Sequence, residues 1–169
     1  MSRKWGLATA VAVGVVVSDQ LTKSLVVSRM QLHQSIPLID GLLDLTYVRN
    51  TGAAFGLLAG RLEDWRVPFF LAMSALALVL LAWFLRGVSA QHWPVIAACG
   101  GVLGGAVGNM IDRAAFGEVI DFLDLHVGSY HWPAFNVADA AITVGVAVLC
   151  LDALRPTPPS RGGESRPEG

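Results

Sequence analysis

Charge is scarce in this chain: Asp, Glu, Lys and Arg make up 15% of its 169 residues, against roughly 25% in ordinary globular domains. Each shortage removes a class of function. Its only lysines are Lys4 and Lys23, and no GxSxG string occurs, so a serine-lysine or nucleophile-elbow hydrolase has little to build on. There is no HExxH, and His126, His131 and Asp124 share no clear helical face, so no metal or other cofactor is expected. The two cysteines, Cys99 and Cys150, lie inside apolar runs and read as packing residues rather than a redox pair. A net charge of -1 without any Lys/Arg run excludes nucleic acid as a partner.

Apolar residues dominate instead, at 54% of the chain, which is the composition of a membrane protein. Four stretches approach the roughly 20 residues that cross a hydrocarbon core: Trp5 to about Val27, Val67 to Leu85, Pro94 to Ile111 and Val137 to Leu154. The first is purely apolar only as far as Val17; its about 13 residues reach about 20 Å at about 1.5 Å each, which brings Asp19, Gln20 and Lys23 inside the span. The expected fold is therefore membrane all-α: a four-transmembrane-helix bundle with a small extracytoplasmic β-sheet and loop subdomain at about 30–66, forming one integral membrane domain over 1–154.

Four spans place both termini on one side. The 12 basic residues divide six and six between the two sides, but Arg3, Lys4, Arg86, Arg155, Arg161 and Arg166 occupy the shorter segments, which the positive-inside rule weights most. That side is assigned to the cytoplasm. The basic start and valine-rich run resemble a secretory signal peptide, but Asp19 and Lys23 interrupt the apolar region, and an uncleaved first helix fits better. Residues 155–169, rich in Pro, Gly and Ser, read as a disordered cytoplasmic tail.

Within the outer segment, Asp40-Gly41 is a favoured two-residue hairpin turn between Ile36 to Ile39 and Leu42 to Val48, and Leu43, Leu45 and Tyr47 alternate with Asp44 and Thr46. Asn50-Thr51-Gly52 follows, and two readings of it stay open: an Asx turn ending a strand, or an amide that holds a substrate backbone. In the third span Gly100, Gly104 and Gly108, with Gly101 and Gly105 beside them, allow another helix to approach closely. Asn109, Asp112 and Arg113 then cluster at the boundary, where Arg113 either caps the interface or pairs with nearby carboxylates. Asp19 and Lys23, four apart with the acid first, have the favourable orientation of a helical ion pair.

Asp121 and Asp139 are the sharpest signal. A carboxylate beside lipid is costly unless compensated, and is a functional-site hypothesis by default. Asn136 followed three residues later by Asp139 also resembles a capping box, so Asp139 is open to a purely structural reading. The alternative is a dyad. Two carboxylates held close together cannot both ionise easily, so they share a proton and supply a base and an acid at once.

Five strings, taken in order, resemble the successive motifs of one family: Asp19-Gln20-Leu21-Thr22-Lys23, Asn50-Thr51-Gly52-Ala53-Ala54-Phe55, Gly108-Asn109-Met110-Ile111-Asp112-Arg113, Val119-Ile120-Asp121-Phe122 and Phe135-Asn136-Val137-Ala138-Asp139. That family is bacterial lipoprotein signal peptidase, also called signal peptidase II. The resemblance implies an aspartic endopeptidase of the inner membrane that cuts prolipoproteins on the N-terminal side of a diacylglyceryl-modified cysteine. It implies Asp121 and Asp139 as the catalytic pair. It further implies that Asn50, Gly52, Asn109, Arg113 and Asn136 shape or support the site, and that Asp19, Lys23 and Asp112 contribute structurally. Its implied partners are prolipoprotein signal peptides and membrane lipid, with no obligate protein partner and no cofactor. Ile96-Ala97-Ala98-Cys99 looks like a lipoprotein cleavage box, but lies deep in the third span and reads as core.

Two rivals come from other classes. A proton-coupled carrier would spread its acids along a path through the bilayer, whereas Asp19, Asp112, Asp121 and Asp139 map to one face. A noncatalytic assembly factor would tolerate neutralisation of both aspartates.

Overall fold

The computed structural model describes residues 3–52 and 63–154. Its order is α1 (Arg3–Arg29), β1 (Ser35–Ile39), β2 (Leu43–Asn50), α2 (Glu63–Gly87), α3 (Trp93–Phe116), β3 (Val119–Val127), β4 (Tyr130–His131) and α4 (Val137–Ala153). The string Ala53-Ala54-Phe55, Arg61 and the tail from 155 lie outside the described residues.

Helix α3 is the centre of the bundle and packs against α1, α2 and α4. Its glycines make this possible in two stripes. A Cβ at Gly100 or Gly104 would come within 2.6 Å of the Ala8 or Ala12 carbonyl oxygen on α1, while Gly105 faces Ala138 and Ile142 on α4. Backbones thus approach where side chains would hold them apart, as in membrane helix pairs. By contrast α2 is apolar on every side, and none of its most apolar window is buried, against 56% for α3. Trp65, Phe69, Met73, Leu76, Val79 and Trp83 stand exposed along it. A face this apolar and this uncovered suits lipid rather than water.

Among the described residues three helices, α1, α2 from Trp65 and α3, are long and apolar enough to cross a membrane. Helix α4, with 17 residues, is slightly shorter. Helix α3 runs past the expected end at Ile111 to Phe116 and stops at Gly117, whose φ of 76° lets its N–H bond the Arg113 carbonyl. Residues 63–66, read from the sequence as outer loop, open α2 instead.

The antiparallel sheet has the order β1-β2-β3-β4. The expected hairpin is present, but its link is three residues, Asp40 to Leu42, because Ile39 pairs with Leu43. Gly41 takes φ 75° and the Leu42 N–H bonds the Ile39 carbonyl. Alternation along β2 is also lost: Thr46 and Tyr47 are both buried, because the register against β3 shifts between Leu45 and Val48. Half the sheet comes from residues 119–131, where the sequence marks only the string Val119 to Phe122 and no strand.

Gly104→Ala is expected to lower the thermal midpoint of the detergent-purified protein, by an overpacking cost of about 1–3 kcal/mol. Gly14→Ala, whose Cβ would meet nothing within 4 Å, should leave it unchanged or raise it. Equal midpoints for the two variants would remove the close-packing account of α3.

Candidate active site

Strand β3 carries Asp121 inward between Ile120 and Phe122, and the carboxylate is 1% exposed. The sheet register opposes it to Val48. Immediately beyond, Leu123 pairs with Phe135, and the Phe122 and Leu123 N–H groups both donate to the Phe135 carbonyl. This ladder brings Asn136 beside Asp121. Asn136 is the N-cap of α4, so the strand and the helix start meet at one residue.

Asn136 reaches both acids. Its Nδ2 donates to Asp121 Oδ1 at 2.7 Å, and its backbone N–H donates to Asp139 Oδ2 at 3.2 Å. Its Oδ1 accepts from the Asp139 N–H at 2.9 Å, which completes a capping box. The second Asp139 oxygen, Oδ1, accepts from Asn109 Nδ2 at 2.8 Å. The second Asp121 oxygen, Oδ2, accepts from Asn50 Nδ2 at 2.9 Å. Asn50 Oδ1 meanwhile accepts from the Gly52 N–H at 2.8 Å, so the Asx turn and the contact with Asp121 coexist. Gly52 needs to be glycine twice over: its φ is 78°, and a Cβ would sit 2.6 Å from the Phe70 ring.

Below the two acids lies a buried charge cluster. Lys23 Nζ is 2.8 Å from both Asp19 Oδ2 and Asp112 Oδ2, and donates to Asn109 Oδ1 at 3.0 Å. The expected helical pair is therefore a triad. Asp19 Oδ1 also accepts from the Ala138 N–H at 2.9 Å, and Asp112 Oδ2 from the Ile120 N–H at 3.1 Å. Gln20, inside the polar string but not singled out, donates to Asp112 Oδ1 at 3.0 Å and to the Gly108 carbonyl at 3.2 Å.

Arg113, left open by the sequence between an interface cap and a pairing with carboxylates, stands apart from the acids. Among the described residues it makes no ion pair; its guanidinium lies 4.9 Å from the centre of the Phe70 ring, within electrostatic reach of Asp139, Asp121 and Asp112. The aromatic face of α2 thus holds a positive charge near the acids without joining them. The two histidines weighed as metal ligands form separate pairs, His126 with Asp44 and His131 with Asp124, with their rings stacked 4.7 Å apart.

A hollow of about 510 Å³ opens beside Asp139, lined by Leu125, Trp132, Phe135, Ala140 and Thr143. Sequence reasoning missed these residues because no motif marks an apolar wall built from β3, α4 and the loop between β4 and α4. Asp139 is half-buried at its edge. Burial pushes the Asp121 carboxyl up to about 6; the hydrogen bonds from Asn50 and Asn136 and the Lys23 charge oppose this, and the Asp139 charge adds to it. Asn136 thus links the two carboxylates, and burial favours the protonated form of Asp121.

The signs of these influences are testable by following the Asp121 carboxyl stretch by infrared titration. Asp139→Asn removes a negative neighbour and should move the midpoint down from about 6, whereas Asn50→Ala removes a donor to the charged form and should move it up. Shifts of the opposite sign would refute the account of the site.

The signal peptidase (SPase) II family profile matches residues 11–155. The lipoprotein signal peptidase of Syntrophotalea carbinolica is 54% identical over 145 residues, covering 83% of this chain and 86% of that protein. That of Geobacter sulfurreducens is 48% identical over 155 residues, covering 92% and 96%. A solved bacterial membrane enzyme superposes with a TM-score of 0.81 at 34% identity, over 90% of this chain and 95% of its own. On a match that spans the bundle, the sheet and both aspartates, this chain is a peptidase and belongs to the signal peptidase II family.

Proposed function

We propose that this peptidase removes the signal peptide from prolipoproteins, cutting on the N-terminal side of a cysteine that already carries diacylglyceryl, with Asp121 and Asp139 as the dyad that activates water. The observation that carries the reading is the double attachment of Asn136, one residue contacting a carboxylate on β3 and a carboxylate on α4. Lipoprotein processing is also what the names of the relatives from Syntrophotalea and Geobacter state.

Burial favours the proton on Asp121, leaving Asp139, at the edge of the hollow, as base. As water attacks the scissile carbonyl, Asp139 takes its proton and Asp121 gives its own to the carbonyl oxygen, forming a gem-diol. Collapse reverses both transfers. Asp139 delivers its proton to the departing amine, Asp121 recovers one from the diol, and the C–N bond breaks. No covalent intermediate is required, and the titration belongs to the pair rather than to either acid. Asn50, Asn109 and Asn136 hold the pair, Gly52 sets the turn that positions Asn50, and Arg113 supplies nearby positive charge. Asp19, Lys23 and Asp112 brace the elements beneath.

The apolar hollow beside Asp139 suits a signal peptide arriving through lipid, while the sheet side admits water. We place all four helices across the bacterial inner membrane, with both termini cytoplasmic and the dyad near the outer face. At about 1.5 Å per residue, the 17 residues of α4 reach about 26 Å, close to a hydrocarbon core of about 30 Å. Residues 1–154 then form a single integral peptidase domain.

Asp121→Asn and Asp139→Asn should each lower cleavage of a purified diacylglyceryl-modified precursor by at least about 10²-fold, the lower range for a lost general acid or base. Both variants should keep the thermal midpoint of the parent within a few degrees. Full activity in either folded variant would eliminate the dyad, and cleavage of the unmodified precursor at the same rate would eliminate the lipid requirement.

A further inference from the structure

At the end of the bundle opposite the two aspartates, a cavity of about 410 Å³ lies between the start of α1 and the connection from α2 to α3. Arg3, Lys4, Leu7, Gln91, Trp93 and Ile96 line it, and no acid does among the described residues. Lys4 is fixed: its Nζ donates to the carbonyls of Leu85, Arg86 and Val88 at 3.1, 2.8 and 2.9 Å. Neutral carbonyls satisfy its three donors but leave its charge uncancelled. Arg3 is exposed and makes no hydrogen bond or ion pair among the described residues. The Ser89 hydroxyl donates to Gln91 Oε1 at 2.7 Å, and the Gln91 side-chain N–H groups have no partner among the described residues.

Trp93, 67% exposed, also forms the end of a second hollow of about 440 Å³. This one is lined by Val11, Ala97, Gly101, Ala141, Gly145 and Val148, with no charged side chain in its wall among the described residues. A cationic cavity and an apolar groove therefore share one interfacial tryptophan, the residue type favoured at the headgroup level of a bilayer.

We propose that this end of the bundle binds one anionic phospholipid, its phosphate in the cavity beside Arg3 and Lys4 and one acyl chain in the groove between α3 and α4. Two cations without a facing carboxylate select a net negative headgroup over a zwitterionic one. The groove selects a lipid over free phosphate, because only a molecule with a hydrocarbon chain fills both hollows.

Native mass spectrometry of the delipidated full-length protein, titrated with phosphatidylglycerol or phosphatidylcholine of identical chains, tests this without any substrate. Retention of phosphatidylglycerol should exceed that of phosphatidylcholine by about 30-fold, and Arg3→Gln should reduce that preference by about fivefold, matching about 1 kcal/mol for each of the two basic residues at an anionic surface. Arg3 has no partner to lose among the described residues, so this variant should leave the fold intact. Ala97→Phe, which fills the groove, should lower retention of both lipids, and millimolar inorganic phosphate should fail to displace bound lipid. Equal retention of the two lipids, an undiminished preference in Arg3→Gln, or displacement by phosphate alone would overturn the proposal. So would a preference that emerges only when residues 155–169 are removed, which would make that segment the occupant, or a dimer that excludes lipid.

Discussion

Everything near the site is organised by one buried cation. The Lys23 ammonium has three N–H donors and meets three acceptors, from Asp19, Asp112 and Asn109. Lys23, Asp19 and Asp112 are 2%, 0% and 1% exposed, so none of the three can exchange its partner for water. Removing one member of such a cluster leaves an uncompensated charge and typically costs about 3–5 kcal/mol, although the intact cluster need not add net stability. Its value lies in geometry. Asp19 also grips the first turn of α4 through Ala138, Asp112 grips β3 through Ile120, and Asn109 turns its amide to Asp139. Four elements, α1, α3, β3 and α4, are thereby registered against one charge.

Helix capping and the proposed catalytic role, which compete as explanations when only the sequence of Asp139 is considered, draw on the same set of contacts. The capping box fixes the Asp139 side chain by a backbone N–H, and the same asparagine directs its Nδ2 at Asp121, with longer contacts to Asn109 Oδ1 and the Ile120 carbonyl. A cap is ordinarily a local device. Here Asn136 is 0% exposed and extends the cap across to a strand, so the start of a helix also sets the spacing of two acids.

What the sequence made legible was whatever obeys short-range rules. The acid and base four apart on α1, the Asp40-Gly41 turn, the glycine spacing on α3 and the capping pattern at Asn136 each follow from local periodicity or local hydrogen bonding. What it concealed depends on pairing between distant segments. Strand β3 reads poorly because Val119 to Phe122 is buried on both faces, with four consecutive buried residues and no alternation. Its partner β2 shifts register, so alternation fails there too. Arg113 lies over the Phe70 ring, a contact across α2 and α3 that no spacing rule anticipates.

The polarity of the two amides that hold Asp121 has a further consequence. Asn50 Oδ1 is engaged by the Gly52 N–H and Asn136 Oδ1 by the Asp139 N–H, so backbone donors prevent either amide from flipping. Each therefore presents only its N–H side to Asp121, one to each oxygen. A proton on Asp121 finds no acceptor in that cradle and has to occupy a lone pair directed away from both asparagines. Under the proposed mechanism, the scaffold would then set the direction in which this acid releases its proton before any substrate has arrived to receive it.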